Sequence, residues 1–376
     1  MMLRNEGKKM NPYERLMAVL EGRKEDTDRL PVWCSTRTST LDGMKKFEAF
    51  WPEAHKDPKK MARLAASVYE LTGNENMSVP FDMALEAEAL GAPCEYFEGK
   101  IKWISVKKFI ATDIYEMDIP EHPSEFVERG RIPVCVEAIK TLKKKYGGKV
   151  PVIGIVNCPL TSVSSYLIEP VEFHKNLIRD PERIHRIYKT LNPYYAAVAN
   201  AFKEAGADVI VFTEEGASLN NISPKHFHEF VKPHLTELIS MTKPPRVLHI
   251  CGSLISKELE VITSMIDCGA EAITIEKKTS MSEARKIADE HRPGYVIGGN
   301  IDPYNVIHGS SIEVIRDRVK RVIEEGTDMV CPGCDYWIET PTEHIRAFVN
   351  AAVEYGTPPR WKKIKTNLRS STRSNL

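Results

Sequence analysis

Short apolar runs separated by longer amphipathic segments recur through this chain, and that alternation constrains its fold more than any other feature. Eight runs read as strands, at residues 30–33, 77–82, 151–157, 208–213, 247–251, 272–276, 295–299 and 328–331. They are brief, rich in Val and Ile and continuously apolar, as expected of parallel strands covered on both faces. Between them lie helical patterns such as residues 181–206 and 312–326, several ending in Gly just before the next strand, a helix C-terminal signal. Strands alternating with helices imply parallel βαβ units. Eight of them in this order favour a closed (β/α)8 TIM barrel over an open doubly wound sheet. The phosphate loops G-x-G-x-x-G and G-x-x-x-x-G-K-[ST] do not occur, which removes the usual sign of the open alternative.

Two segments depart from the repeat. Residues 95–108, EYFEGKIKWISVKK, alternate in polarity around Gly99 and read as a β-hairpin inserted in a loop. At the front, NPYERLMAVLEG reads as an N-capped amphipathic helix packing across the barrel. The expected organisation is one barrel domain over residues 1–360, followed by a basic, Ser-rich disordered tail over 361–376.

Charge narrows the function classes. Lys+Arg and Asp+Glu both number 52, so no global field points to nucleic acid or an anionic membrane. The opening residues contain no apolar signal core, and no apolar stretch is long enough for a transmembrane helix. Eight cysteines scattered over 376 residues suggest reduced thiols in a cytoplasmic protein. Cys94, Cys135 and Cys268 read as small buried apolar residues.

The chemistry concentrates on two strand ends. In VLHIC, side chains alternate, so His249 and Cys251 project together from the carboxyl end of the strand, where barrel enzymes place their active sites. The last strand runs into CPGCDYW, and Pro332 and Gly333 permit a tight turn that aims Cys334 at the same rim. An imidazole and two thiols suit zinc, and three protein ligands with an open fourth position are the catalytic arrangement. A closed Cys3His site including Cys331, or a redox pair of Cys331 and Cys334, stands as the structural alternative. Carboxylates at strand ends offer ligands or proton handlers: Asp82, Glu214 and Glu215, Glu276, and Asp302.

At these residues the chain resembles the uroporphyrinogen decarboxylase superfamily, from about Asn11 through Glu354. The resemblance is carried by RLPVW, FDMALEAEALG, GASLNNISPKHFHEFVKPHL, GGNIDP and PGCDYWIETPTEHI. It implies a (β/α)8 barrel and two competing chemistries. The decarboxylases carry an arginine-rich segment after PVW that grips substrate carboxylates. Here that segment is CSTRTSTLDG, with Arg37 its only arginine, although Asp82 falls where they keep an essential aspartate. The corrinoid-dependent methyltransferases of the superfamily carry H-x-C-G and P-G-C, matched by His249, Cys251, Gly252 and Cys334.

The methyltransferase resemblance implies a zinc that binds a substrate thiol, and a methyl group exchanged with a corrinoid (cobalamin). The corrinoid is expected on a partner protein. Asp82, Glu214 and Asp302 are then the expected catalytic carboxylates, and Asn300, Tyr336 and Trp337 the expected corrinoid contacts. Two departures leave the acceptor open: SLISKE follows the H-x-C-G, and PGCDYW stands where the methyltransferases have P-G-C-G-I. A relative that demethylates a small methylated compound, a decarboxylase, and a non-catalytic barrel with a structural zinc remain the other readings.

Overall fold

The computed structural model describes residues 9–256, 259–359 and 361. Seven parallel strands form one curled sheet, numbered here β1 (Met77–Val79), β2 (Val152–Asn157), β3 (Val209–Thr213), β4 (Arg246–Ile250), β5 (Ala272–Ile275), β6 (Val296–Ile301) and β7 (Met329–Pro332). They are adjacent in chain order, each pair parallel. Almost every strand residue is buried, which is why the runs carry no polar alternation.

Among the described residues the main sheet has seven strands where eight were expected. The run at 30–33 supplies a single parallel bridge, Val32 to Val330. Around it, Trp33 N–H donates to Val330 O at 3.0 Å and Val330 N–H to Pro31 O at 2.9 Å. On its other side one backbone bond, Glu75 N–H to Val32 O at 3.0 Å, is supplemented by side chains. Glu75 Oε2 accepts from Val32 N–H at 3.1 Å, while Asn76 Oδ1 accepts from Cys34 N–H at 2.8 Å and its Nδ2 donates to Cys34 O at 2.9 Å. Pro31 has no N–H of its own to give to a ladder. β1 is likewise shorter than its apolar run, because Pro80 follows Val79 and cannot donate.

Helices cover the outer face. Pro181–Ala205 packs on β2 and β3, and Ile312–Glu324 on β6 and β7. The front helix is Pro12–Leu20, and Asn11 and Glu14 close a capping box at its start. The predicted insertion pairs only Cys94–Glu95 with Ser105–Val106, antiparallel. A second small hairpin, Ile255–Ser256 against Leu259–Glu260, was not anticipated. Of the expected tail, Trp361 is buried and lies under the Lys24 ammonium; residues 362–376 lie outside the described residues. Among the described residues no helix is long and apolar enough to cross a membrane.

Candidate metal centre

His249 is the fourth residue of β4 and Cys251 follows the strand, so alternation turns both toward the inside of the curled sheet. His249 Nε2 lies 3.0 Å from Cys251 Sγ. Cys251 Sγ lies 3.3 Å from Cys334 Sγ. The three donor atoms all lie within 4.8 Å of one another. Cys334 is drawn in by Gly333, whose N–H donates to Ile301 O at 2.8 Å. A Cβ at Gly333 would sit only 3.0 Å from the Lys277 amide nitrogen, so glycine suits this close approach.

The imidazole is held by its strand neighbour. Thr274 on β5 is in register with His249, and its Oγ1 lies 2.8 Å from His249 Nδ1. Burial pushes His249 down to about 4, so the ring is neutral at pH 7, the form that offers a lone pair. The Cys251 thiol is held well above its ordinary range by the neighbouring Cys334 thiol and by burial. Two thiols and a neutral imidazole crowded at one point therefore present three soft or borderline donors to a cation.

Cys331 does not join them. It is buried within β7 and packs against the Cα of Gly298, where a Cβ would lie 3.3 Å from its Sγ. Among the described residues the group of potential metal ligands is His249, Cys251 and Cys334.

Charged side chains line the same mouth. Arg37, fully buried, donates from Nη2 to Asn157 Oδ1 at 3.0 Å. Its Nη1 lies 3.6 Å from Asp335 Oδ1 and 3.9 Å from Glu215 Oε1. Asp335 Oδ1 also accepts the Arg37 backbone N–H at 2.9 Å. Burial and the charge of Asp335 raise Glu215 to about 7 against the opposing pull of Arg37.

The other expected site residues are distributed differently. Asp82 is wholly buried, with Arg131 Nη1 and Nη2 donating to its two oxygens at 2.8 and 2.9 Å and His55 Nδ1 3.1 Å away. Glu214 turns to the outer side of β3, where Thr161 donates from its backbone N–H at 2.7 Å and from its hydroxyl. There it lines a small cavity with Tyr188, Phe230 and His234. Asp302 caps the Pro303–His308 turn and accepts from Lys277 Nζ at 2.7 Å. Asn300 is buried, its Nδ2 donating to Thr279 O at 2.5 Å and its Oδ1 accepting from Arg318 at 2.9 Å. Tyr336 is buried too, its hydroxyl donating to Asn74 Oδ1 at 3.0 Å. Trp337 is 44% exposed, and its ring meets Tyr304 edge-on at 4.9 Å.

Sequence reasoning carried Glu214 forward where Glu215 faces the mouth. The signal was available: Thr213 Oγ1 donates inward to Asn157 Oδ1 at 2.8 Å, and period-two alternation puts residue 215, not 214, on that side. His55 and Arg131 carried no sequence signal, since each reaches Asp82 from a distant helix or turn.

Fold and site together define an α/β protein with a parallel sheet and an imidazole–dithiol cluster at the carboxyl ends of its strands. The family model described as uroporphyrinogen decarboxylase (URO-D) matches residues 11–355, and the chain belongs to that family. It is 34% identical over 344 residues to the methylcobamide:CoM methyltransferase MtaA of Methanosarcina barkeri, covering 91% of this chain and 97% of that protein. It is 31% identical over 366 residues to a methylated-thiol–coenzyme M methyltransferase of Methanosarcina mazei, covering 96% and 94%. Among solved structures, a methyltransferase from Methanosarcina mazei superposes with a TM-score of 0.84 at 31% identity, over 92% of this chain and 99% of that one.

Proposed function

We propose that this chain is a corrinoid-linked methyltransferase, moving a methyl group between a corrinoid carried by a separate protein and a small-molecule thiol. The thiol is taken at a zinc held by His249, Cys251 and Cys334. The observation that carries this reading is the convergence of those three donor atoms within 4.8 Å at the strand ends. The relatives named for methylcobamide and thiol substrates support the reaction class.

The donor set fits zinc. Zn–S near 2.3 Å and Zn–N near 2.0–2.1 Å in a tetrahedron place neighbouring ligand atoms about 3.5–3.8 Å apart. The separations of 3.0 and 3.3 Å are close to that. Thr274 engages Nδ1 and leaves Nε2 as the ligating nitrogen, the usual arrangement for a metal-binding histidine. Three protein ligands leave one position for substrate, and Cys331 stands outside the group, which argues against a closed structural site.

Zinc in this position supplies a Lewis acid that lowers the pKa of a substrate thiol, so that a thiolate is present at neutral pH. The chain's own residues prepare for it. Burial keeps His249 unprotonated. Cys251 and Cys334 give up their protons on binding the ion, so uptake is tied to pH. Arg37, anchored by Asn157, places its positive charge 3.6 and 3.9 Å from the carboxylates of Asp335 and Glu215 beside the cluster. Trp337 and Tyr304, exposed on the adjoining loops, supply an aromatic ledge for the incoming corrinoid and its carrier.

A decarboxylase would call on Asp82. That carboxylate is closed off by Arg131 and His55 and has no exposed surface, and the arginines needed for a polycarboxylate substrate are missing from the segment around Arg37. The test of the main reading is metal content of the purified protein alongside His249→Ala and Cys334→Ala. One zinc per chain, lost in both variants, supports it, and transfer of methyl from a methylated corrinoid to a thiol completes the case. A parent that takes up no zinc when offered it sinks the reading.

A further inference from the structure

Of the eight cysteines, five are buried and Cys94 sits on the small hairpin of residues 94–106. The other two, Cys251 and Cys334, are half-buried at the mouth. Their Sγ atoms lie 3.3 Å apart. A disulfide holds its sulfurs about 2.05 Å apart, so closing one here asks for a movement of about 1.3 Å, shared between two side chains.

The C-x-x-C spacing pairs Cys334 with Cys331 in sequence, but the fold offers a different partner. Cys331 Sγ is buried within β7 against Gly298. Cys34 is also near, yet its Sγ meets Cys334 at the carbonyl oxygen, at 3.9 Å, and lies 3.5 Å from Thr36 Oγ1. Cys251 is the thiol presented to the thiol of Cys334.

We propose that Cys251 and Cys334 are a redox-sensitive pair, closed to a reversible disulfide by hydroperoxides. One thiol attacks the peroxide, whose O–O bond breaks, giving a sulfenic acid and an alcohol, or water when the oxidant is hydrogen peroxide. The second sulfur then attacks the sulfenic sulfur, forming the S–S bond and releasing water. The two thiols give up two electrons, and their protons leave in the alcohol and the water. β4 and β7 are not neighbours in the sheet, so the bond ties two walls of the mouth together. It also takes two of the three metal donors and leaves His249 alone, so disulfide and bound zinc are alternative states of the same sulfurs. Pairing keeps each thiol from the irreversible steps to sulfinic and sulfonic acid. The exclusion of zinc rests on the metal reading above, whereas the disulfide rests on the two sulfurs alone.

The test treats the full chain, first incubated with zinc, with hydrogen peroxide in small molar excess. Released zinc, free thiols and the peptides joined after proteolysis without reductant are measured together. Expected are loss of two of the eight thiols, a crosslink between the peptides of Cys251 and Cys334, and release of zinc in step, all reversed by dithiothreitol and fresh zinc. Cys331→Ala should give the same crosslink, and Cys251→Ser should leave Cys334 as a sulfenic acid that dimedone traps. With zinc bound, a crosslink from Cys334 to Cys331 or Cys34, or oxidation without any crosslink, or eight surviving thiols, overturns the inference and leaves the metal reading standing. A chain that binds no zinc yet joins Cys251 to Cys334 overturns the metal reading alone. Neither zinc nor that crosslink overturns both.

Discussion

Arg131 grips Asp82 through both carboxylate oxygens, at 2.8 and 2.9 Å, in a place where neither residue touches solvent to any extent. Burial alone would push the Asp82 carboxyl up, but the Arg131 charge and the close His55 ring hold it well below the usual range. Its contribution to stability is therefore full above the ordinary aspartate pKa and disappears as pH falls through the lowered native value. Arg131→Met leaves a buried carboxylate without its partner and is expected to cost about 3–5 kcal/mol. The signature is the pH dependence. With Arg131 gone the carboxyl titrates higher, so thermal unfolding of the variant approaches that of the parent as pH drops from 7 toward 4. A constant gap in Tm across that range counts against the pairing.

Glu214 makes the opposite prediction. Burial raises it to about 8 in the folded chain, so between the ordinary glutamate pKa and that value the native state holds a proton the unfolded state has released. Stability from this site is then present at low pH and lost as pH rises toward 8. Glu214→Gln, which does not titrate, should gain on the parent from pH 5 to about pH 8 in thermal melts and level off above it. A difference in Tm that does not change with pH would show that Glu214 is already ionised in the fold.

Thr274 touches the imidazole and none of the thiols, so its effect should be on affinity, not on the presence of the site. Thr274→Val is expected to weaken zinc binding by about 10–100-fold, the range for removing an outer partner of a ligating histidine. Competition with a chromogenic chelator measures it. Unchanged affinity would mean that His249 is oriented by its strand alone.

Cys331→Ala should leave zinc stoichiometry at the parent level, because the Cys331 thiol lies inside β7 and outside the donor group. Loss of zinc in that variant, with the fold retained by circular dichroism, would restore the closed four-ligand site.

Trp337→Ala should raise the KM for a methylated corrinoid protein several-fold with little change in kcat, since Trp337 stands exposed on the loop that follows Cys334. The reverse pattern would place Trp337 in the chemical step.

Most of the strand framework was legible because seven of the runs are apolar on both faces, and such runs announce themselves without help from context. His249, Cys251 and Cys334 were legible because two short-range rules, alternation and a Pro-Gly turn, deliver them to one rim. What escaped is what depends on distance. Asn300 and Tyr336 sit in suggestive motifs, yet their polar atoms are taken up by Thr279, Arg318 and Asn74, partners that no local pattern reveals. Glu214 and Glu215 are adjacent and chemically alike, and alternation separates them only once the phase of the strand is fixed, as the bond of Thr213 to Asn157 on β2 fixes it. The first run was apolar enough for a strand, but whether it pairs along its length was decided by Pro31 and by the side chains of Glu75 and Asn76.

Those two side chains have a consequence for how the chain can change. A backbone ladder is indifferent to which residues compose it, so any of β2 to β7 can exchange one apolar side chain for another and keep its partners. The junction between residues 31–34 and the approach to β1 has one backbone bond and otherwise depends on one glutamate and one asparagine, whose identities therefore matter. The segment that begins at this stitch is the one that carries Arg37 into the mouth. A change at position 75 or 76, both far from the thiols in sequence, would therefore reach the mouth as well as the fold, and at 75 the fold would suffer directly, because Glu75 also pairs the buried Arg15.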